Sequence, residues 1–429
     1  MQNFIPYSKR TYKPLGPKSE ALIRRINLHS AQNYAPYPFV VEKSEGPWLY
    51  DVDGNKALDF LAAYSSILTH RNKAIIDEVV KELLQGTDLT SRAVYHSRLA
   101  EFGEKICSLT GYDRVMPKSD GVSAADSSMM ALFRHGHERG IKKPEVILTK
   151  DYFHGRTMMF ASNALFDPDQ SYGLSQKFPG INVVEHTAEA ISKAINKSTI
   201  GIFVETHKGE GGPLFTSKED FLEIRKIARE NNILFGADEI QTGLGRCGHI
   251  MAWQEFGEEA RPDFVTLGKA LGGGIIPVSA LVGTEEFMKI YKPNLDGSTH
   301  GGYSLACAAA LASLKYIVEN NIPKKAKELG NHFCNNLKGI DGINVDHRGA
   351  LIRVEIENAE SAKPACYEML LGNRSPRVFM KHGHGTVKNG TKIAYTRIAP
   401  PIGAMTKELV DEATEKTIIP VLRDAAREN

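Results

Sequence analysis

No run in this 429-residue chain approaches the ~20 consecutive apolar residues that a membrane helix needs, so no membrane span is expected. Excess charge is missing too. With 53 basic and 51 acidic residues the formal charge is +2, and neither nucleic acid nor an anionic surface is implied as a partner. Cysteine is scarce: Cys107, Cys247, Cys307, Cys334 and Cys366 are odd in number, scattered and without a CxxC pair. That excludes a disulfide framework and suggests reduced thiols in the cytoplasm. Repeats and low-complexity tracts are absent, which excludes a solenoid. His135-Gly-His137 and His382-Gly-His384 lack a clear third ligand, so no metal site is expected. The N-terminus carries Lys9, Arg10, Lys13 and Lys18 before its first acid, Glu20, yet Pro6, Pro14 and Pro17 interrupt it and serines are few. It reads as a plain N-terminal arm and not an organellar presequence.

What is present suits a large α/β protein. At 42% hydrophobic residues the chain can bury a sizeable core, with two or three domains. Trp48 to Phe60 alternates around Asp53-Gly54 and reads as a hairpin. Helical patterns (Ile75 to Leu84, Ser97 to Leu109) then alternate with short apolar runs: Glu145 to Thr149, Ile200 to Glu205, Ile233 to Asp238 and Phe264 to Gly268. Short strands separated by helices imply a mostly parallel sheet covered on both faces. Tyr303 to Val318 reads as a buried helix. Beyond it, the runs at Gly342, Leu351 and Ile393, with a helix from about Lys407, suggest a smaller α+β domain.

Two apolar runs end in charge, one at Asp238-Glu239 and one at Lys269. Open α/β sheets bind ligands beyond the carboxyl ends of their strands, so both charges should face one crevice. A structural ion pair would satisfy that arrangement. So would a cofactor whose aldehyde is captured by a lysine amine and whose ring nitrogen is kept protonated by an aspartate. Ser119-Asp120-Gly121-Val122-Ser123 precedes a helix expected from about Ala124, where the Gly121 and Val122 N–H groups could meet a phosphate; a simple turn and cap reads equally well. Gly243-Leu-Gly245-Arg-Cys-Gly248 spells a dinucleotide fingerprint, with Asp263 twenty residues after its first glycine. It does not open a crossover helix, and Asp263 precedes the next strand instead of ending it, which argues against nicotinamide binding.

Phe235-Gly-Ala-Asp-Glu-Ile-Gln-Thr-Gly-Leu-Gly-Arg246, followed by Thr266-Leu-Gly-Lys-Ala-Leu-Gly-Gly-Gly274, resembles the signature of class III (ω-) aminotransferases, over about residues 30 to 420. Within that class the chain is most similar to ornithine aminotransferases, through Asn33-Tyr34-Ala-Pro, Asp59 to Ser65, Leu89-Thr-Ser-Arg-Ala93, Gly155-Arg156-Thr157 and Arg397-Ile-Ala-Pro-Pro401. The resemblance implies a fold-type-I, pyridoxal-phosphate-dependent homodimer with active sites at the subunit interface. Lys269 would form the Schiff base, Asp238 would pair with the ring nitrogen, Phe153 would stack on the ring and Gln241 would bond the ring oxygen. Gly121 and Val122 would hold the phosphate, with Ser298 and Thr299 reaching it from the neighbouring subunit. Tyr34, Tyr64, Arg156, Glu210 and Arg397 would bind substrate, the arginines by bidentate pairing with carboxylates. Glu210 would neutralise Arg397 while ornithine is bound, so that the δ-amine is presented. The implied layout is an N-terminal segment (1–60) joining the small domain, a large cofactor domain (61–310) and a C-terminal small domain (311–429). The implied reaction moves the δ-amino group of L-ornithine to 2-oxoglutarate in the cytoplasm.

The chain departs from the family pattern in places. Ser119-Asp120-Gly-Val-Ser123 stands where Asn-Thr/Ser-Gly-Ala/Val-Glu is usual, Gly301-Gly-Tyr303-Ser-Leu305 replaces Gly-Gly-Asn-Pro-Leu, and Lys208 replaces a common glutamine. An aspartate aimed at a phosphate would weaken its binding; one that caps the helix would not. A specialised biosynthetic ω-aminotransferase, a racemase on the same scaffold and a non-catalytic binding protein are the alternatives.

Overall fold

A computed structural model describes residues 15–85, 88, 92–163, 177–210, 212–358, 360–386 and 392–427. Lys9, Arg10 and Lys13 of the basic arm, and Leu89-Thr90-Ser91 of the family stretch, lie outside these residues. Pro17 starts a helix, Pro17–His29, instead of breaking one. Proline at the first helical position lacks only an N–H that would have no intrahelical partner.

Strands are numbered along the chain: β1 (Val41–Glu45), β2 (Trp48–Asp51), β3 (Lys56–Asp59), β4 (Arg114–Lys118), β5 (Glu145–Thr149), β6 (Ile181–Val184), β7 (Thr199–Glu205) and β8 (Leu234–Asp238). There follow β9 (Phe264–Leu267), β10 (Ser279–Gly283), β11 (Ile343–Arg348), β12 (Leu351–Ile356), β13 (Arg377–Phe379), β14 (Lys381–Thr386) and β15 (Lys392–Ile398). The chain divides into two compact units. One comprises the described residues up to Ala63, Leu68–Asn72 and those from Lys327; the other comprises Tyr64–Ile67 and Lys73–Ala326. The helix Ser304–Glu319 runs through residue 310, where the sequence suggested a boundary. Its Ala309 shares a buried cluster with Ile75 and Val79, which keeps it in the larger unit.

In the smaller unit β1, β2 and β3 form an antiparallel meander, and β13 joins β3 in parallel. The β2–β3 turn is held by Asp51, whose Oδ1 accepts the N–H groups of Asp53 (3.0 Å) and Asn55 (2.6 Å). Asp59 closes β3 in the same way: it accepts from the N–H groups of Leu61 and Ala62 and lies 2.8 Å from His70 Nε2. A left-handed turn follows, with φ of 47°, 46°, 58° and 79° at Ala62, Ala63, Tyr64 and Ser65. Side chains with a Cβ resist that conformation. The second sheet of this unit, β11-β12-β15-β14, is antiparallel throughout.

The larger unit is built on a seven-stranded sheet of order β4-β10-β9-β8-β7-β5-β6. The run from β6 to β9 is parallel, whereas β10 is antiparallel to both β9 and β4. The helix Gly121–Glu138 packs Ala125, Met129 and Leu132 into a core with Val146, Leu148, Phe203, Phe264 and Phe287. Burying each large side chain there contributes about 1.5–3 kcal/mol. The apolar runs that read as strands in the sequence are the central ones, β5 and β7 to β9. β4 escapes such a reading because it carries Arg114, Pro117 and Lys118, and an edge strand tolerates a proline.

Ala63 is exposed in the left-handed turn, so Ala63→Gly should relieve strain without losing packing. The expected gain is ~0.5–1 kcal/mol, seen in a chain of this length as a rise of about 1 °C in melting temperature. A lower melting temperature would mean that Ala63 stores no strain.

Candidate active site

β6 is added on one side of β5 and β7 on the other, so the order of strand addition reverses between β5 and β7 while the strands stay parallel. Such a reversal opens a crevice beyond the carboxyl ends of the strands. Three neighbouring parallel strands deliver side chains there. Glu205 ends β7, Asp238 ends β8 beside it, and Lys269 follows β9 after Gly268, with φ of 47°.

Asp238 is buried and well supplied with donors. Its Oδ1 accepts the Ile240 N–H at 3.0 Å, and its Oδ2 lies 2.8 Å from His154 Nδ1. An ionised carboxylate only accepts, so Nδ1 carries the proton in this pair. The imidazole is fully buried and stacks on Phe203 with centroids 4.5 Å apart. Glu205 differs. Burial, with the charge of Asp238 added to it, pushes its carboxyl well above the ordinary range, while Lys269 opposes that shift. It accepts the Phe153 N–H at 3.2 Å, which ties the segment after β5 to the end of β7.

Gln241 Nε2 is buried without a hydrogen-bond partner among the described residues. A Cβ on Gly209 would fall 1.7 Å from Gln241 Oε1, so a larger residue on the loop after β7 would displace this amide. Gly155 has φ of 116°, and a Cβ there would fall 2.1 Å from Val122 Cγ2. A Cβ on Gly121 would meet Ile240 Cδ1 at 2.9 Å. The segments around 121, 155 and 240 therefore converge.

The helix expected from about Ala124 begins at Gly121, with Asp120 as its N-cap. The Asp120 carboxylate accepts the Ser123 N–H and hydroxyl, both at 2.9 Å, and Ser279 Oγ donates to the Asp120 carbonyl. The unusual aspartate thus serves the helix terminus through its side chain. Lys208 is also turned inward. Its ammonium is 3.6 Å from Asp151 and 5.1 Å from the centroid of the Tyr152 ring, and burial draws its pKa down.

Of the other sequence candidates, Arg156 places its guanidinium 5.5 Å from the centroid of Phe153. Tyr64 lies on the left-handed turn, half-buried, and Glu210 is half-buried on the loop after β7. Ser298 and Thr299 are exposed on the loop before the helix Ser304–Glu319. Tyr34 and Arg397 belong to the smaller unit. Tyr34 is exposed; Arg397 is buried on β15, opposite Arg353 of β12 and Lys381 of β14. Like charges facing one another across strands repel, and Arg353 is met by Glu355 at 3.5 Å. The fingerprint glycines 243 to 248 form turns, and Asp263 is occupied by Arg225 in a bidentate pair at 2.7 and 3.0 Å. Among the described residues no cluster of His, Cys, Asp or Glu could hold a metal ion, and no helix is long and apolar enough to cross a membrane.

His154 and Glu205 were missed in the sequence. Glu205 ends an apolar run just as Asp238 does. His154 follows Phe153 directly, but a lone histidine carries no pattern.

Residues 29–419 match the family model described as aminotransferase class-III. The chain is 37% identical over 407 residues to ornithine aminotransferase 2 of Staphylococcus aureus strain MRSA252, covering 93% of this chain and 98% of that one. It is also 37% identical over 410 residues to an ornithine aminotransferase of Geobacillus sp. strain WCH70, with the same coverage. Among solved structures, the ornithine aminotransferase of Toxoplasma gondii ME49 superposes with a TM-score of 0.85 at 27% identity, covering 96% of each chain. The acetylornithine aminotransferase of Elizabethkingia anophelis does so with 0.79 at 28%, covering 96% of this chain and 99% of that one. The chain belongs to the class-III aminotransferases, enzymes of fold type I that depend on pyridoxal phosphate. It is an aminotransferase whose relatives act on ornithine-like amino acids, and its substrates are small molecules.

The residues present fit that cofactor. An anionic phosphate suits the first turn of the helix Gly121–Glu138. A protonated ring nitrogen suits a buried carboxylate held by His154, and a ring oxygen suits the unsatisfied Gln241 amide. An aldehyde suits the amine of Lys269, which follows β9 at the same edge.

Two outcomes are expected. Gly155→Ala should push Val122 away and loosen the cofactor by ~10-fold or more, as measured by titrating the apoprotein with pyridoxal phosphate. The second concerns Glu239, which is fully buried; burial raises its pKa to about 7 against three hydrogen bonds from Trp253, Ala252 and Thr206. An acid whose pKa is raised on folding holds more protons in the native state, so its contribution is greatest below about pH 4.5 and is lost as pH rises through about 7. Denaturant titrations from pH 4.5 to 8 should show that fall in the native protein and a flatter profile in Glu239→Gln, whatever its absolute stability.

Proposed function

We propose that the chain transfers the δ-amino group of L-ornithine to 2-oxoglutarate, giving glutamate and glutamate-5-semialdehyde, which cyclises to pyrroline-5-carboxylate. The observation that carries this reading is the delivery of Glu205, Asp238 and Lys269 to one sheet edge by three adjacent strands. The ornithine-specific part rests on the named relatives and on Tyr34, Tyr64, Arg156, Glu210 and Arg397.

Bound pyridoxal phosphate supplies an aldehyde for amine capture and an electron-accepting ring. Lys269 Nζ is the amine that holds the cofactor. When not engaged with the cofactor, Lys269 Nζ would be the base that moves a proton to or from the substrate's reacting carbon. Asp238 keeps a proton on the ring nitrogen, and the His154 Nδ1–H fixes the carboxylate's orientation. Gln241 Nε2, buried without a partner among the described residues, would donate to the ring oxygen, and Phe153 would stack on the ring. Gly121 and Val122 offer N–H groups to the phosphate, joined by Ser298 and Thr299 of a second copy, so the working unit is a cytoplasmic homodimer. Arg156 pairs with a carboxylate of 2-oxoglutarate, and Arg397 with the other. Glu210 masks Arg397 during the ornithine half-reaction, so the δ-amine enters first. Tyr34 recognises the α-substituents of ornithine, and Tyr64 lines the same pocket.

The test is spectroscopic. A visible band of the holoenzyme should bleach with L-ornithine alone and return with 2-oxoglutarate, and Lys269→Ala should cost at least ~10²-fold in kcat. A band bleached by N-acetylornithine but indifferent to ornithine would move the assignment to the acetylornithine type. Tyr34→Phe should lower kcat/KM for ornithine about 10–100-fold, the worth of one hydrogen bond to a charged group. Unchanged selectivity would remove Tyr34 from the pocket.

A further inference from the structure

Lys118 and Asp296 form an ion pair that neither the chemistry above nor the family motifs use. Lys118 is the last residue of β4, three before Gly121, at the same sheet edge as Asp238 and Lys269. Its Nζ contacts Asp296 Oδ1 at 2.5 Å, and both side chains are buried, at 4% and 10% exposure. Asp296 precedes Ser298 by two residues. The hydroxyl-bearing residues Ser298 and Thr299 are exposed, so the loop has a buried ionic root beneath an exposed tip.

The return of the loop is pressed on the same strand. A Cβ on Gly301 would come within 3.0 Å of the Pro117 carbonyl, and one on Gly302 within 2.5 Å of Pro117 Cγ. The Gly302 carbonyl also lies 2.8 Å from His96 Nε2, while His96 Nδ1 accepts the Leu99 N–H and so caps the helix Ser97–Thr110. That leaves Nε2–H as the donor to the loop. Asp296, Gly301 and Gly302 thus hold the loop from both sides of its tip. A buried pair with a single ionic contact is a poor device for stability, because desolvation offsets its attraction. Asp296 Oδ2 is buried without a hydrogen-bond partner among the described residues, which makes the pair poorer still. What the pair does supply is a fixed separation between the root of the phosphate-binding helix and the root of the Ser298–Thr299 loop.

We propose that Lys118 and Asp296 are positioning residues for the cofactor phosphate, joining the helix start that serves one active site to the loop that serves the other. This rests on the homodimeric reading of Ser298 and Thr299. An exposed loop that is ordered in advance loses less entropy when it closes on an anion.

The experiment titrates apoproteins with pyridoxal phosphate by fluorescence and records melting curves in parallel. Lys118→Met combined with Asp296→Leu removes both charges and leaves no uncompensated ion. The double variant should melt near the native protein yet bind the cofactor ~10-fold or more weakly. Lys118→Arg, which keeps the charge, should retain most of the affinity. A stable double variant with native affinity would reduce the pair to packing and overturn the proposal. Should that variant fail to fold, Asp296→Asn gives the same readout with a near-isosteric change, and native affinity there is equally fatal. Ser298→Ala combined with Thr299→Ala separates the two ideas. Unchanged affinity in it sinks the shared-site reading itself; weakened affinity in it, with native affinity in the Lys118 and Asp296 variants, sinks only the positioning role.

Discussion

A carboxylate taken out of water keeps its charge only where hydrogen-bond donors replace the water. Asp238 has the Ile240 N–H on one oxygen and the His154 imidazole on the other, while Glu205, one strand away, has its neutral form favoured by burial and by Asp238 itself. Two like charges side by side at adjacent strand ends would be expensive. The sheet sets an imidazole against the first, while the second is buried and accepts the Phe153 N–H. Everything placed at that edge, including the Lys269 amine, works in the field that this asymmetry creates.

The edge is shaped by backbone as much as by side chains. Gly209, Gly155 and Gly121 each stand where a single methyl group would collide with a site segment, so the loops after β7, β5 and β4 can close around a small volume. The helix Gly121–Glu138 brings its N-terminus to the same place, and Asp120 uses its carboxylate on Ser123 instead of on a ligand. An acidic side chain beside a phosphate site is thereby made compatible with it.

Much of this was legible in the sequence because central parallel strands are buried on both faces and must be continuous apolar runs; the charges that end them are conspicuous for the same reason. Asp238 and Lys269 stood out in this way. β4 and β10, at and next to the sheet's edge, did not, since Arg114, Pro117 and Lys118 interrupt the apolar pattern of the first. His154 was invisible because its role comes from stacking on Phe203 and reaching Asp238, 84 residues away. The orientation of Asp120 was undecidable from sequence, where a cap and an intruding charge look alike. The boundary near residue 310 failed because Ser304–Glu319 is apolar enough to suit either side, and only its packing on Ile75 and Val79 assigns it.

The parallel pairing of β3 with β13 joins Lys56–Asp59 to Arg377–Phe379. On a ribosome, Tyr64 to Ala326 can emerge and collapse as a unit while the early strands β1 to β3 still lack this partner. At about 5–20 residues per second, the stretch from Lys327 to the end of β13 at Phe379 takes roughly 3–11 s to appear. Through that interval the free edge of β3 must be kept from other strands, so a chaperone acting on the nascent chain would find its work at β1 to β3.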